Sequence, residues 1–158
     1  MRSVVVADRS PHAPYHFLVL SKRHIDKSAD LTVQDIPLVK EMEKAGREHL
    51  REVLKKNGDA DIVEAILRTG FHKPPFLTVH HLHMHILYPV SGMKFLYRAV
   101  VYRPGRFFLL AKTLIEELEG VKNKDGSTDL EKKLEGNPAI VDPKNPAETK
   151  IQAAAVSN

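Results

Sequence analysis

Apolar and polar residues alternate from Thr78 to Tyr88, and this stretch limits the fold more than any other in the chain. A period of two is the signature of a strand with unlike faces, so the segment predicts a β-strand in an antiparallel sheet. On such a strand His81, His83 and His85 share one face at a spacing of ~6.6 Å, while Leu82, Met84 and Ile86 turn to the core. Aligned imidazoles buried without a task would waste hydrogen-bonding groups, so three together point to a site.

The neighbouring sequence predicts what surrounds that strand. Val4 to Ala7 and Tyr15 to Ser21 read as paired strands joined by the turn-rich Arg9 to Pro14. Thr32 and Asp35 suit a capping-box-like entry, with Pro37 in the first turn of a helix that reaches Asn57 and Gly58. Val39, Met42, Ala45, Leu50, Val53 and Leu54 give that helix one apolar face. Asp61 to Arg68 is expected to be a strand, Thr69 to Phe76 a loop, and Arg106 to Leu110 a strand leading to a helix that places Leu114, Ile115 and Leu118 together. The result is an α+β domain over residues 1–120. Val121 to Asn158, with no aromatic residue and balanced charge, is expected to be a disordered tail, helical at most transiently at Asp129 to Leu134.

Composition then excludes several chemistries. The 158 residues include no cysteine, so a disulfide framework, a Cys-ligated zinc and a thiol nucleophile are out, and a reducing intracellular location fits. The longest apolar runs span only a few residues, too short for a membrane helix. The formal charge is +4, and no Asp or Glu lies between Glu64 and Glu116, where Arg68, Lys73, Lys94, Arg98, Arg103, Arg106 and Lys112 accompany five of the nine histidines. That field favours an anionic ligand.

A histidine row in such a setting serves one of two chemistries. Two strand histidines and a third could hold a hydrolytic zinc with water in the fourth position. Alternatively, an imidazole could attack phosphorus, the phosphate supplying the negative charge that the segment lacks. Metal-bound imidazoles usually donate their other N–H to a carboxylate or carbonyl, and no acidic side chain is nearby in sequence, which favours the latter.

The pattern His81, His83, His85, Ile86, Leu87 resembles the signature of the histidine triad nucleotide hydrolases and transferases. Asp8, Ser10, Pro11, Ala13, Pro14, His16 to Val19 and Lys22 to Ile25 resemble the family's first conserved block. Gly70 to Phe76 and Phe107 to Leu118 are similar to its subgroup of histidine triad nucleotide-binding protein 3, near the aprataxin branch. The likeness spans about residues 4–119.

This resemblance implies a sheet of about five antiparallel strands with one long helix and a short C-terminal helix, usually in a homodimer. It implies that His83 is the nucleophile toward adenosine 5'-phosphoramidates or similar AMP conjugates, forming an AMP–histidine intermediate. His85 would contact the phosphate or help protonate the leaving group, and His81 and His16 would orient the others. Asp8 would receive the ribose hydroxyls, Thr78 would touch the phosphate or leaving group, and Val6 and Arg9 would face the base. No metal or other cofactor is implied. A main-chain carbonyl is expected to fix the tautomer of His83.

Departures from the family pattern carry expectations of their own. Only seven residues precede Asp8, Val6 stands for a larger aromatic and Arg9 for an apolar residue, so either a base pocket open on one side or a sequence shortened before Met1 is expected, with weaker nucleotide binding. The tail lacks zinc-finger ligands, which argues against a DNA-adenylate hydrolase or any specific nucleic-acid partner. Residence is expected in the cytoplasm, with the nucleus as a further compartment. The alternatives are a catalytically weak nucleotide-binding adaptor and, behind it, the zinc hydrolase.

Overall fold

A computed structural model describes residues 2–121. Five antiparallel strands form one sheet in the order β1-β2-β4-β3-β5: β1 Ser3–Ala7, β2 Tyr15–Ser21, β3 Arg68–His72, β4 His83–Tyr88 and β5 Phe108–Leu110. Helix α1 covers Ile36–Asn57, and a second helix, α2, occupies residues 111–121. The α+β arrangement expected from the sequence is present, with the histidine strand β4 at its centre.

Local chemistry sets the limits of α1. The Thr32 backbone N–H donates to the Asp35 carboxylate at 2.9 Å and the Asp35 backbone N–H donates back to the Thr32 side chain, a capping box in the turn just before α1, and the Thr32 hydroxyl adds a bond to the same carboxylate at 3.0 Å. Burial raises the Asp35 carboxyl, but these bonds and the Arg23 guanidinium outweigh it and hold the group below its ordinary range. At the far end Gly58 takes φ 76°, a left-handed cap that favours glycine. Between the caps Leu38, Val39, Met42, Leu50 and Leu54 are buried against Val19, Met84 and Ile86 of the sheet. Leu114 and Ile115 of α2 join the same core.

The opposite face of the sheet is also covered. Leu87 and Phe108 pack with Ala13, Val90, Met93 and Tyr102, contributed by the turn after β1 and by the segment between β4 and β5. Burial on both faces explains why His85 lies almost wholly inside the protein.

Three strand boundaries differ from the sequence reading. Asp61–Leu67 is not a strand: it holds a short turn, Glu64–Ile66, and β3 begins at Arg68. Ile62 and Ile66 pack half-buried against the core while Val63 is exposed, and a strand exists only where another chain segment can accept its backbone bonds. Those partners, Leu87 to His85 on one side and Leu110 to Phe108 on the other, face residues 68–72, the first half of the expected loop. The strand after the turn is likewise shorter than Arg106 to Leu110, beginning at Phe108.

Thr78 to Leu82 is irregular, and β4 begins at His83, opposite Leu20. Beyond that pair the ladder dissolves, as the Ser21 N–H donates to the Leu82 carbonyl and the Leu82 N–H donates to Ile25 instead. The expected tail, its transient helix and the boundary after residue 120 lie outside the described residues, apart from Val121 at the end of α2. No helix among the described residues is long and apolar enough to cross a membrane.

Candidate functional site

His83 and His85 point from β4 with ring centroids 5.1 Å apart. His83 Nδ1 donates to the His81 carbonyl at 2.7 Å. A carbonyl can only accept, so the ring proton is at Nδ1 and the lone pair is at Nε2. The same logic fixes His81, whose Nε2–H donates to the Ser21 carbonyl at 2.7 Å. Its Nδ1 lone pair faces His24 Nδ1 at 3.2 Å and accepts from it.

A second, deeper chain of rings begins at the turn after β1. The His12 backbone N–H donates to His16 Nδ1 at 3.1 Å, which places the proton of a neutral His16 on Nε2. That N–H is shared between His85 Nδ1 at 2.9 Å and the Asp8 carboxylate at 3.2 Å. His85 Nδ1 therefore accepts, and its own proton sits on Nε2, a buried atom with no hydrogen-bond partner among the described residues. An unpaired buried donor is costly unless a ligand satisfies it.

Burial keeps these rings uncharged. It pushes His16 down to about 4 against the opposing pull of Asp8. His72 is also pushed down to about 4 by burial, with the Phe107 carbonyl opposing and His83 and His12 assisting. His85 lies well below the ordinary imidazole range because it is buried and because His72, His16, His83 and His12 surround it. Burial likewise pushes the Tyr102 hydroxyl up.

Asp8, His16 and His85 converge closely enough to suggest a cation site. The set does not fit one, because His16 Nε2 carries a proton and has no lone pair to give.

The family described as "Scavenger mRNA decapping enzyme C-term binding" matches residues 1–101. Adenosine 5'-monophosphoramidase HINT3 of Xenopus tropicalis is 34% identical over 116 residues, covering 73% of this chain and 72% of its own length. The chain belongs to the histidine triad family. The HINT3 protein of Mus musculus is 36% identical over 115 residues, covering 73% of this chain and 66% of that protein. A solved structure, "Crystal structure of aprataxin ortholog Hnt3 in complex with DNA", shares the fold with a TM-score of 0.51 and 17% identity over 74% of this chain and 64% of that one.

The triad of this histidine triad protein is not three rungs of one strand. His81 lies before β4 and reaches His83 through its carbonyl, while its ring is tied to the end of β2. His16, His85 and Asp8 are brought together. Asp8 does so with an inward carboxylate, whose other oxygen accepts the Ser10 N–H at 2.7 Å. Val6, Arg9 and Thr78 are exposed, and none of the three makes a side-chain hydrogen bond among the described residues.

His72, which the sequence pattern does not single out as a site residue, joins the site. It closes β3 with its ring centroid 4.6 Å from His85 and 4.7 Å from Tyr102, and its Nδ1 is buried without a partner among the described residues. The signal was its place two residues after Gly70, hidden once 69–76 was read as a loop. His12 was missed for a different reason: it acts through its backbone, which no side-chain pattern displays.

Proposed function

We propose that the protein hydrolyses conjugates of AMP, adenosine 5'-phosphoramidates among them, through a covalent bond between His83 and the α-phosphorus. The supporting observation is the hydrogen bond from His83 Nδ1 to the His81 carbonyl, which aims the lone pair of a neutral ring outward from Nε2. The names of the HINT3 relatives point to the same chemistry.

In the first step Nε2 forms a bond to phosphorus as the P–N bond to the leaving amine breaks, and the departing nitrogen keeps the bonding pair and takes a proton from solvent. The ring becomes an AMP–imidazolium whose positive charge is steadied by the His81 carbonyl on Nδ1–H. Water then attacks phosphorus, the Nε2–P bond returns its electrons to the ring, and the attacking water gives up a proton to solvent, replacing the one that the amine took. The net reaction consumes one water and yields AMP and the amine.

His85 Nε2–H serves as the donor to a phosphate oxygen, and the unpaired state of that atom supports the role. His16 and His81 are positioning residues. Asp8, Val6, Arg9 and Thr78 contact the nucleotide, and no metal takes part. A homodimer, and residence in the cytoplasm or nucleus, belong to the same reading. A nucleotide-binding adaptor without turnover is the second reading, favoured by the exposure of Val6 and Arg9 on the side expected for the base.

Mass spectrometry of protein quenched during turnover tests the proposal. An acid-labile AMP adduct is expected on the peptide containing His83, and His83→Ala should lose about a thousandfold or more in kcat/KM. Turnover by that variant within tenfold of the parent would refute the nucleophile. AMP binding with neither adduct nor turnover would leave the adaptor.

A further inference from the structure

The segment between β4 and β5 has two unlike sides. Residues 95–101 form a short helical stretch that ends in the π-helical turn Tyr97–Val101. Tyr97 and Val101 pack inward with the buried Tyr102, and Tyr97 also stacks on the His12 ring with centroids 3.9 Å apart. From β3 the Arg68 guanidinium donates to the Arg98 and Tyr102 carbonyls at 3.4 and 2.8 Å. These contacts fix the outward side, where Phe95, Leu96 and Val100 are 75%, 62% and 37% exposed. Spacings of four and five residues set Val100 beside Leu96 and Phe95 on a turn of this width.

Basic side chains surround that apolar tip. Lys94, Arg98 and Arg103 are exposed at its margins, and no carboxylate pairs with any of them among the described residues. No Asp or Glu stands anywhere from residue 65 to 115. A second copy meeting the same patch about a two-fold axis would set these cations against themselves. A nucleic acid would pair with the cations but leave Leu96 and Val100 in water. A phenyl ring and a leucine standing this far into solvent also offer no groove for a partner helix. An anionic bilayer surface satisfies both halves of the patch, since acyl chains receive the apolar tip while headgroups meet the cations.

We propose that this tip is a peripheral docking site for an anionic phospholipid surface, with Phe95 and Leu96 entering the interface and Lys94, Arg98 and Arg103 meeting the headgroups. Each cation held at such a surface should strengthen binding about fivefold. The attachment is reversible and salt-sensitive, because it rests on a few side chains and on charges in water.

Co-sedimentation of the full-length protein with vesicles tests the site, using phosphatidylcholine alone and phosphatidylcholine with about a third phosphatidylserine. The mixed vesicles are expected to bind roughly tenfold or more tightly, and added salt should erase most of the difference. Phe95→Ser combined with Leu96→Ser should weaken binding to the mixed vesicles by about tenfold or more, with urea unfolding unchanged because both side chains are exposed. Arg98→Glu combined with Arg103→Glu should abolish the preference for the mixed vesicles. Equal binding to the two vesicle types, binding to neither, or undiminished binding by the double-serine protein overturns the proposal. So does a lipid-free dimer in sedimentation velocity that the two serines convert to monomer, because a second copy would then cover the tip.

Discussion

Acidification should weaken this fold through its buried histidines, and the size of the effect follows from their environment. His16 and His72 sit near 4 when folded because burial penalises the cation, but return to about 6.5 when the chain unfolds. Between those values the unfolded chain binds protons that the native state refuses, so stability is full above 6.5 and falls as the pH drops toward 4. Going from pH 7 to pH 5 should cost about 1.8 kcal/mol for each of the two rings, or about 3.5 kcal/mol together. His85, shifted in the same direction, adds to that loss.

Against a usual total of about 5–15 kcal/mol, a loss of this size brings the fold near its limit at pH 5. Urea unfolding followed by far-ultraviolet circular dichroism at pH 7, 6 and 5 measures it, as the chain has no tryptophan to report by fluorescence. His72→Gln should remove roughly half of the two-ring pH dependence while leaving the contribution of His16. A stability that changes by less than about 1 kcal/mol over this range would mean the native rings accept protons freely. The neutral tautomers assigned to the site would then be wrong.

Other substitutions probe separate parts of the construction. At Gly70, across from His85, a Cβ would stand 2.2 Å from the Leu109 carbonyl oxygen and 2.8 Å from Phe108. Gly70→Ala should therefore cost about 3 kcal/mol or more in urea unfolding, since relief requires parting β3 from β5. Asp35→Ala removes the capping box and should cost about 1–2 kcal/mol by the same measurement. Asp8→Asn should raise KM for AMP conjugates more than it lowers kcat if the carboxylate holds the ribose; steady-state kinetics showing the reverse would confine Asp8 to orienting His16.

Much of the architecture was legible in the chain because it depends on local rules. Period-two alternation marked β4, period 3.6 marked α1, and Thr32, Asp35, Pro37 and Gly58 announced the ends of that helix by chemistry confined to a few residues. The triad itself, and the acid-free stretch around it, could be read directly, as could the need for a carbonyl on His83.

What could not be read depended on partners distant in sequence. Whether Thr78 to Leu82 continues a strand is decided by β2, which ends at Ser21, so that the Leu82 N–H turns to the Ile25 carbonyl and the β2–β4 ladder stops there. Gly70 resembled a loop signal, yet it is a strand residue made small by the close approach of the Leu109 carbonyl. The sequence determined which imidazoles could act. Tertiary packing decided their protonation, since burial and single carbonyl or N–H contacts, such as His12 to His16, choose which nitrogen of each ring carries the proton.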